Sequence, residues 1–175
     1  MKMITAIIDD FKEIIKNRTR LEKALNVKIT SIGKEVCIDG LPEDEYIAEK
    51  VIEAVEMGFP FSVAFLIKEE SNLFEIINIK NYTHKKDLEK IRARIIGTKG
   101  KTLRTLTELT KCHFEINGNL VGIIGDTEFI KNAQQAVIMI IQGSKQTNVY
   151  AYLEKHQIQP IIDLGLKEVK KKKTK

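Results

Sequence analysis

Ile95-Ile96-Gly97-Thr98-Lys99-Gly100-Lys101-Thr102-Leu103 places two glycines around two polar residues, with an apolar pair before them and an apolar-periodic segment after. Glycine has no Cβ, so the backbone can turn tightly there and another molecule can come close. The first N–H groups of a helix beginning at Lys101 lack intrahelical partners and favour anions. Lys99 and Lys101 add positive charge at the same place. The stretch reads as a grip for phosphate, carried by either a nucleotide or a nucleic acid.

Spacing separates these two. A nucleotide phosphate loop needs G-x-x-x-x-G-K-[ST] directly after a strand. Gly100-Lys101-Thr102 supplies its end, but the first glycine would have to stand where the chain has Ile95. The preceding segment, with Lys85, Lys86, Lys90, Arg92 and Arg94, reads as a basic helix over 85–95. Nucleotide hydrolysis is set aside on these grounds.

Working outward, periodicity predicts a strand over 3–8, a helix over 9–25, strands over 27–32 and 36–38 around a turn at Gly33-Lys34, and a helix from Pro42 to Met57 ended by Gly58. Proline is tolerated in a first helical turn, and Glu43, Asp44 and Glu45 complement the helix dipole there. A short aromatic helix over 62–68 and a strand over 73–79 lead to the basic helix. After the glycines come a helix over 101–110, a hairpin of 112–116 and 120–124 turning at Asn117-Gly118, a helix capped by Asp126 and stopped by Gly143, and a helix over 149–153. An ungapped offset of 85 residues pairs Gly33 with Gly118, Val36 with Val121, Ile38 with Ile123, Gly40 with Gly125, Glu43 with Glu128, Ala48 with Ala133 and Gly58 with Gly143. The chain therefore reads as two copies of one α+β unit, each a three-stranded sheet with helices on one face. The boundaries are 1–70, 71–160 and a basic tail over 161–175. The same offset sends Gly97 to Lys12 and Gly100 to Ile15, so the first copy has no glycine loop.

Charge divides in the same place. The chain has a net charge of +5. Residues 1–70 hold 10 Lys/Arg against 14 Asp/Glu, whereas residues 71–175 hold 19 against 10, and the tail from Lys167 has six lysines and one glutamate. An acidic half joined to a basic half points to a polyanionic partner for the second half alone. Two cysteines, Cys37 and Cys112, make no disulfide framework and favour a reducing cytoplasm. No apolar run approaches the length of a membrane span. Cys112-His113 has no second Cys/His pair at ligand spacing, the Glu43–Glu45 run reads as first-turn helix charge, and no catalytic constellation or cofactor motif is present. Tyr150 and Tyr152 stand two apart and do not share a helix face, so one is expected to pack and the other to be exposed.

The order strand–helix–GXXG–helix–strand–strand–helix, with R-I-I-G-T-K-G-K-T-L over 94–103, resembles the type I KH domain, whose loop clamps the backbone of about four single-stranded nucleotides. In that resemblance Arg94, Gly97, Thr98, Lys99, Gly100, Lys101 and Arg104 meet the RNA backbone, Ile96 and Leu103 form an apolar floor for bases, and the edge of 112–116 meets base edges. I-I-G-T-K-G-K-T-L-R-T-L-T-E-L-T (95–110), G-N-L-V-G-I-I-G-D (118–126) and V-Y-A-Y-L-E-K (149–155) further resemble archaeal relatives of the partner-of-Nob-one ribosome-assembly factor. The resemblance spans about residues 3–155 and is strongest in the second half. It implies a non-enzymatic RNA-binding protein at the 3′ end of small-subunit ribosomal RNA, with a Nob-one-type endonuclease and the α subunit of initiation factor two as partners. The chain departs from that family in a first unit with no GXXG, which is expected to work as a spacer or protein-binding face in place of a second RNA grip. Aspartates at Glu13 and Ile14, which the offset equates with Thr98 and Lys99, are expected to leave RNA binding unchanged.

Overall fold

Two antiparallel three-stranded sheets organise the computed structural model, which describes residues 2–4, 11–32 and 35–156. The first sheet comprises β1 (Lys2–Ile4), β2 (Lys28–Ile32) and β3 (Glu35–Asp39), in the order β1-β3-β2. Between β1 and β2 lie α1 (Phe11–Lys16) and α2 (Arg18–Leu25), and β3 leads to α3 (Pro42–Met57) and α4 (Phe61–Ala64), which tightens into a 3-10 turn over Phe65–Lys68. The second sheet comprises β4 (Asn72–Asn78), β5 (His113–Asn117) and β6 (Leu120–Asp126), in the order β4-β6-β5. Here α5 (Leu88–Ile96) and α6 (Lys101–Thr110) fall between the first two strands, and α7 (Thr127–Gln142) and α8 (Gln146–Lys155) follow the third. The predicted turn at Gly33-Lys34, the end of the first strand and the basic tail lie outside the described residues.

The 85-residue offset survives as geometry from residue 17 onward. Val36 faces Ser31 and Val121 faces Ile116; Ile38 faces Ile29 and Ile123 faces Phe114. Asn26 and Lys111 end α2 and α6 in the left-handed conformation, with φ of 54° and 57°. Gly58 and Gly143 end α3 and α7 with φ of 108° each, which only glycine adopts without strain. Leu21 and Leu106 are both fully buried, as are Ala64 and Val149.

The offset fails N-terminal to residue 17. In the first sheet Ile4 pairs with Val36, and in the second Ile77 pairs with Val121, so the leading strands are related by 73 residues instead of 85. The second half thus carries 12 more residues between its first strand and the strand after its second helix, and the glycine loop lies in that added length. Equating Thr98 and Lys99 with Glu13 and Ile14 is therefore wrong. Ile14 is 2% exposed in the first core, so an aspartate there would unfold it rather than act as a neutral control.

The second sheet is covered on both faces, which corrects the expectation of helices on one face only. Ile77, Phe114, Val121 and Ile123 point into a core with Ile91, Ile95, Leu106, Ala133, Ile140 and Val149. Phe74, Ile76, Leu120 and Ile124 point the other way, into the core of the first half with Val55, Met57 and Phe59. Phe59 meets Phe74 edge to face, with ring centroids 6.1 Å apart, and Asn117 Nδ2 donates to the Glu56 carbonyl at 3.1 Å. The two halves share a packed interface.

Candidate nucleic-acid interface

A basic helix leads into the loop, but its first turn is later than periodicity predicts. The α5 helix begins at Leu88 because the Asp87 side chain accepts from the Lys90 N–H at 3.2 Å and caps it. Lys85 and Lys86 therefore precede the helix. The Lys90 ammonium, 2.8 Å from the Asp87 carboxylate, holds that carboxyl below its ordinary range. Arg92 donates to the Gly118 carbonyl at 3.2 Å and to Asn119 Oδ1 at 3.3 Å, tying α5 to the hairpin turn.

The loop is held in one shape by its glycines. Gly97, with φ 74° and ψ 171°, breaks α5, and its N–H still bonds the Ala93 carbonyl at 2.8 Å. This backbone region is accessible essentially to glycine alone. A Cβ at Gly97 would also collide with Thr102 Oγ1 and come within 2.7 Å of the Thr102 N. Thr98–Gly100 form a single 3-10 turn closed by Gly100 N–H to the Gly97 carbonyl at 3.1 Å. Lys99 is left-handed at φ 53°, and so is Gly100 at φ 74°. Nothing lies within 4 Å of where a Gly100 Cβ would be, so this position faces open space.

The expected site residues fall into two groups. Thr98, Lys99, Lys101 and Arg104 are exposed around the turn, and Ile96 is exposed beside it at 39%. Four hydrogen-bonding groups, three of them cationic, thus surround a free-facing backbone with an apolar side chain at its edge. Leu103 is partly buried against the second core and offers only part of its surface as a floor. Arg94 is half-buried, and its guanidinium donates to the Ser144 carbonyl at 2.7 Å. Its position joins α5 to the segment after α7. Gln146 and buried Thr102 are two residues the sequence reading passed over. Gln146 Nε2 donates to Thr102 Oγ1 at 2.8 Å and to the Arg94 carbonyl at 3.4 Å. A threonine two residues after the GXXG loop, in the first turn of the following helix, was the available signal.

β5 lies at one edge of its sheet, adjacent to β6 alone among the described strands. Its far end approaches the first half through Asn117, and burial raises the Glu115 carboxyl pKa above its ordinary value. Cys112 is fully buried and His113 half-buried. Burial pushes the Cys112 thiol up to about 11, which suits a packing residue better than a ligand. Asp44 accepts from Asn26 Nδ2 at 3.1 Å, tying α3 to the end of α2, and Glu45 accepts from the Gly40 N–H at 3.2 Å at the start of α3. Tyr150 and Tyr152 are both partly buried, and Tyr152 stacks on His156 with centroids 4.3 Å apart. Among the described residues no helix is long and apolar enough to cross a membrane, and no group of three metal-ligating side chains is present.

Comparison with known proteins adds to this geometry. The model of the second KH domain of PNO1, a eukaryotic-type KH domain of type I, matches residues 73–158. A KH domain-containing protein of Methanocaldococcus jannaschii is 27% identical over 144 residues, covering 78% of this chain and 63% of that protein. The chain thus spans less than two thirds of that relative's length. Dim2p of Pyrococcus horikoshii OT3 superposes with a TM-score of 0.80 at 28% identity, over 88% of this chain and 98% of that one. A protein of unknown function from Aeropyrum pernix gives 0.81 at 25% identity, over 89% of each chain. A further Pyrococcus horikoshii structure, a complex of a/eIF2alpha, aDim2p and rRNA, matches with a TM-score of 0.77 at 28% identity, over 89% of this chain and 93% of that one. A type I KH-domain model thus matches residues 73–158, in a chain that resembles archaeal Dim2p along most of its length.

Proposed function

We propose that this chain is a non-enzymatic, single-stranded RNA-binding protein of small-ribosomal-subunit maturation, acting in the cytoplasm near the 3′ end of the small-subunit rRNA. The observation that carries the reading is the Gly97–Gly100 turn, left-handed at Lys99 and Gly100, open to solvent at Gly100 and ringed by Lys99, Lys101 and Arg104. Such a turn lets a sugar–phosphate backbone approach the main chain while cations neutralise its charge. The matched Dim2p complex contains rRNA, which supports the same chemistry here. On this reading the chain comprises a clamp-less KH-like unit over 1–70, a KH unit over 71–160 and a basic tail over 161–175. RNA contacts fall to Arg94, Ile96, Gly97, Thr98, Lys99, Gly100, Lys101, Leu103 and Arg104, with Arg94 acting mainly through its tie to Ser144.

A second reading concerns proteins. The acidic first unit fits a docking face for the α subunit of initiation factor two, supported by a/eIF2alpha in the matched complex, and for a Nob-one-type endonuclease. Thr98→Asp with Lys99→Asp tests both readings in the full chain. Two carboxylates beside the phosphates should lower affinity for an RNA carrying the rRNA 3′ end by about 100-fold, with the circular dichroism spectrum unchanged. Undiminished RNA affinity would overturn the clamp. Loss of RNA with retained capture of the initiation-factor subunit would place that partner on another surface.

A further inference from the structure

The clamp is held from outside its own sequence. Gln146, the first residue of α8, sends its side-chain amide to Thr102 Oγ1 at 2.8 Å and to the Arg94 carbonyl at 3.4 Å. Thr102 stands two residues after the loop, 2% exposed, against the face of Gly97 where a Cβ would be. Arg94 stands three residues before the loop, and its guanidinium returns to the Ser144 carbonyl at 2.7 Å. One amide thus bridges the last turn of α5 and the first turn of α6, and Arg94 closes the circuit through the segment that starts α8.

We infer that Gln146 is the positioning residue of the RNA clamp, fixing the spacing of the two helix ends that the Gly97–Gly100 turn must span. The inference rests on the RNA-binding reading of that turn. Its physical basis is pre-organisation: a loop already in its bound shape loses less entropy when a backbone is gripped. The chain contains its own comparison. The 85-residue offset equates Gln146 with Phe61 and Thr102 with Asn17, and Asn17 is the single residue joining α1 to α2. Phe61 turns to Phe65, with ring centroids 6.2 Å apart. Where there is no four-residue turn to hold, the amide is replaced by an aromatic ring.

The test uses full-length protein with Gln146→Ala, Thr102→Val and the double variant, and Thr102→Ser as the conservative control. Binding to an RNA carrying the rRNA 3′ end should weaken about fivefold in each single variant. The double variant should be no weaker than Gln146→Ala alone, because that substitution already removes the contact to Thr102. Thr102→Ser should bind like wild type. The salt dependence of binding should keep its slope, since no phosphate contact is lost, whereas Lys99→Ala should lower that slope by about 1. In the free protein, the Gly100 amide should exchange hydrogen about fivefold faster in Gln146→Ala, because opening its bond to Gly97 becomes easier. Additive losses in the double variant, a reduced salt slope for Gln146→Ala, or an unaltered Gly100 exchange rate each overturn the assignment. If wild type does not bind the RNA, the clamp reading falls, and the exchange rate alone then decides whether Gln146 orders the turn.

Discussion

The two glycines of the Gly97–Gly100 loop do different work. Gly97 is needed by the fold: its backbone lies in a glycine-only region and a Cβ there would overlap Thr102. Gly100 has only ordinary left-handed backbone and empty space around it. Gly97→Ala should therefore cost about 2–4 kcal/mol of stability from strain and overlap, and Gly100→Ala only about 1 kcal/mol. On the proposed RNA-binding role the contrast narrows for RNA affinity, because a methyl group at Gly100 would fill the open space where a sugar–phosphate backbone would approach. Urea denaturation of both variants, set beside RNA titrations, checks this: equal stability losses would contradict it. The lysines at 99 and 101 were legible from sequence as free cations. Arg92 and Arg94 were not, because composition carries no signal that a guanidinium is already bonded to a backbone carbonyl 26 or 50 residues away.

At the scale of elements, local chemistry set most of what periodicity predicted. Asp126 accepts from the Glu128 N–H at 2.8 Å and starts α7, and Gly143 ends it. Pro42, at the first helical position and with no side-chain cap before it, and Gly58 bound α3. The order around the glycine loop, and with it the type I resemblance, was readable for this reason. The start of α5 was not, since the cap at Asp87 outweighed the run of basic residues before it. Nor was the second face of β6 readable. Its run Val121-Gly122-Ile123-Ile124-Gly125 is buried throughout, and a continuous apolar run does not say what covers each side. Gly122 shows what does. A Cβ there would come within 2.7 Å of the Phe59 ring and 3.1 Å of the Met57 Cε. Gly122→Ala should destabilise the protein by about 1–3 kcal/mol through overpacking, seen as a lower urea midpoint with RNA affinity at native conditions unchanged. A midpoint equal to wild type would mean the two halves are not in contact at Phe59.

On the scale of the whole molecule, α3 carries a titrating group beside the interface between the halves. Burial, with Glu53 close by, raises the Glu56 carboxyl to about 7, and its Oε1 is buried without a hydrogen-bond partner among the described residues. Its own carbonyl accepts from Asn117 across the interface. The folded pKa lies above the unfolded value, so between about pH 4.5 and 7 the native state holds a proton that the unfolded chain has lost. Stability conferred by the protonated form is full below about pH 4.5 and is lost as pH rises through 7. Burial of Glu115 acts in the same direction. Glu56→Gln should therefore melt higher than wild type at pH 8, by about 1–2 kcal/mol after allowing for solvent at the partly exposed side chain. The gap should close by pH 4.5, and calorimetry across this range that shows a constant difference would refute the assignment. The buried back of the second sheet also bears on how the second half can be used. A fragment cut to residues 73–158 would turn Phe74, Ile76, Leu120 and Ile124 from an interior into an outward apolar sheet. Such a face recruits other molecules or a second copy of itself. The clamp is portable as a module only if those four positions are redesigned for water.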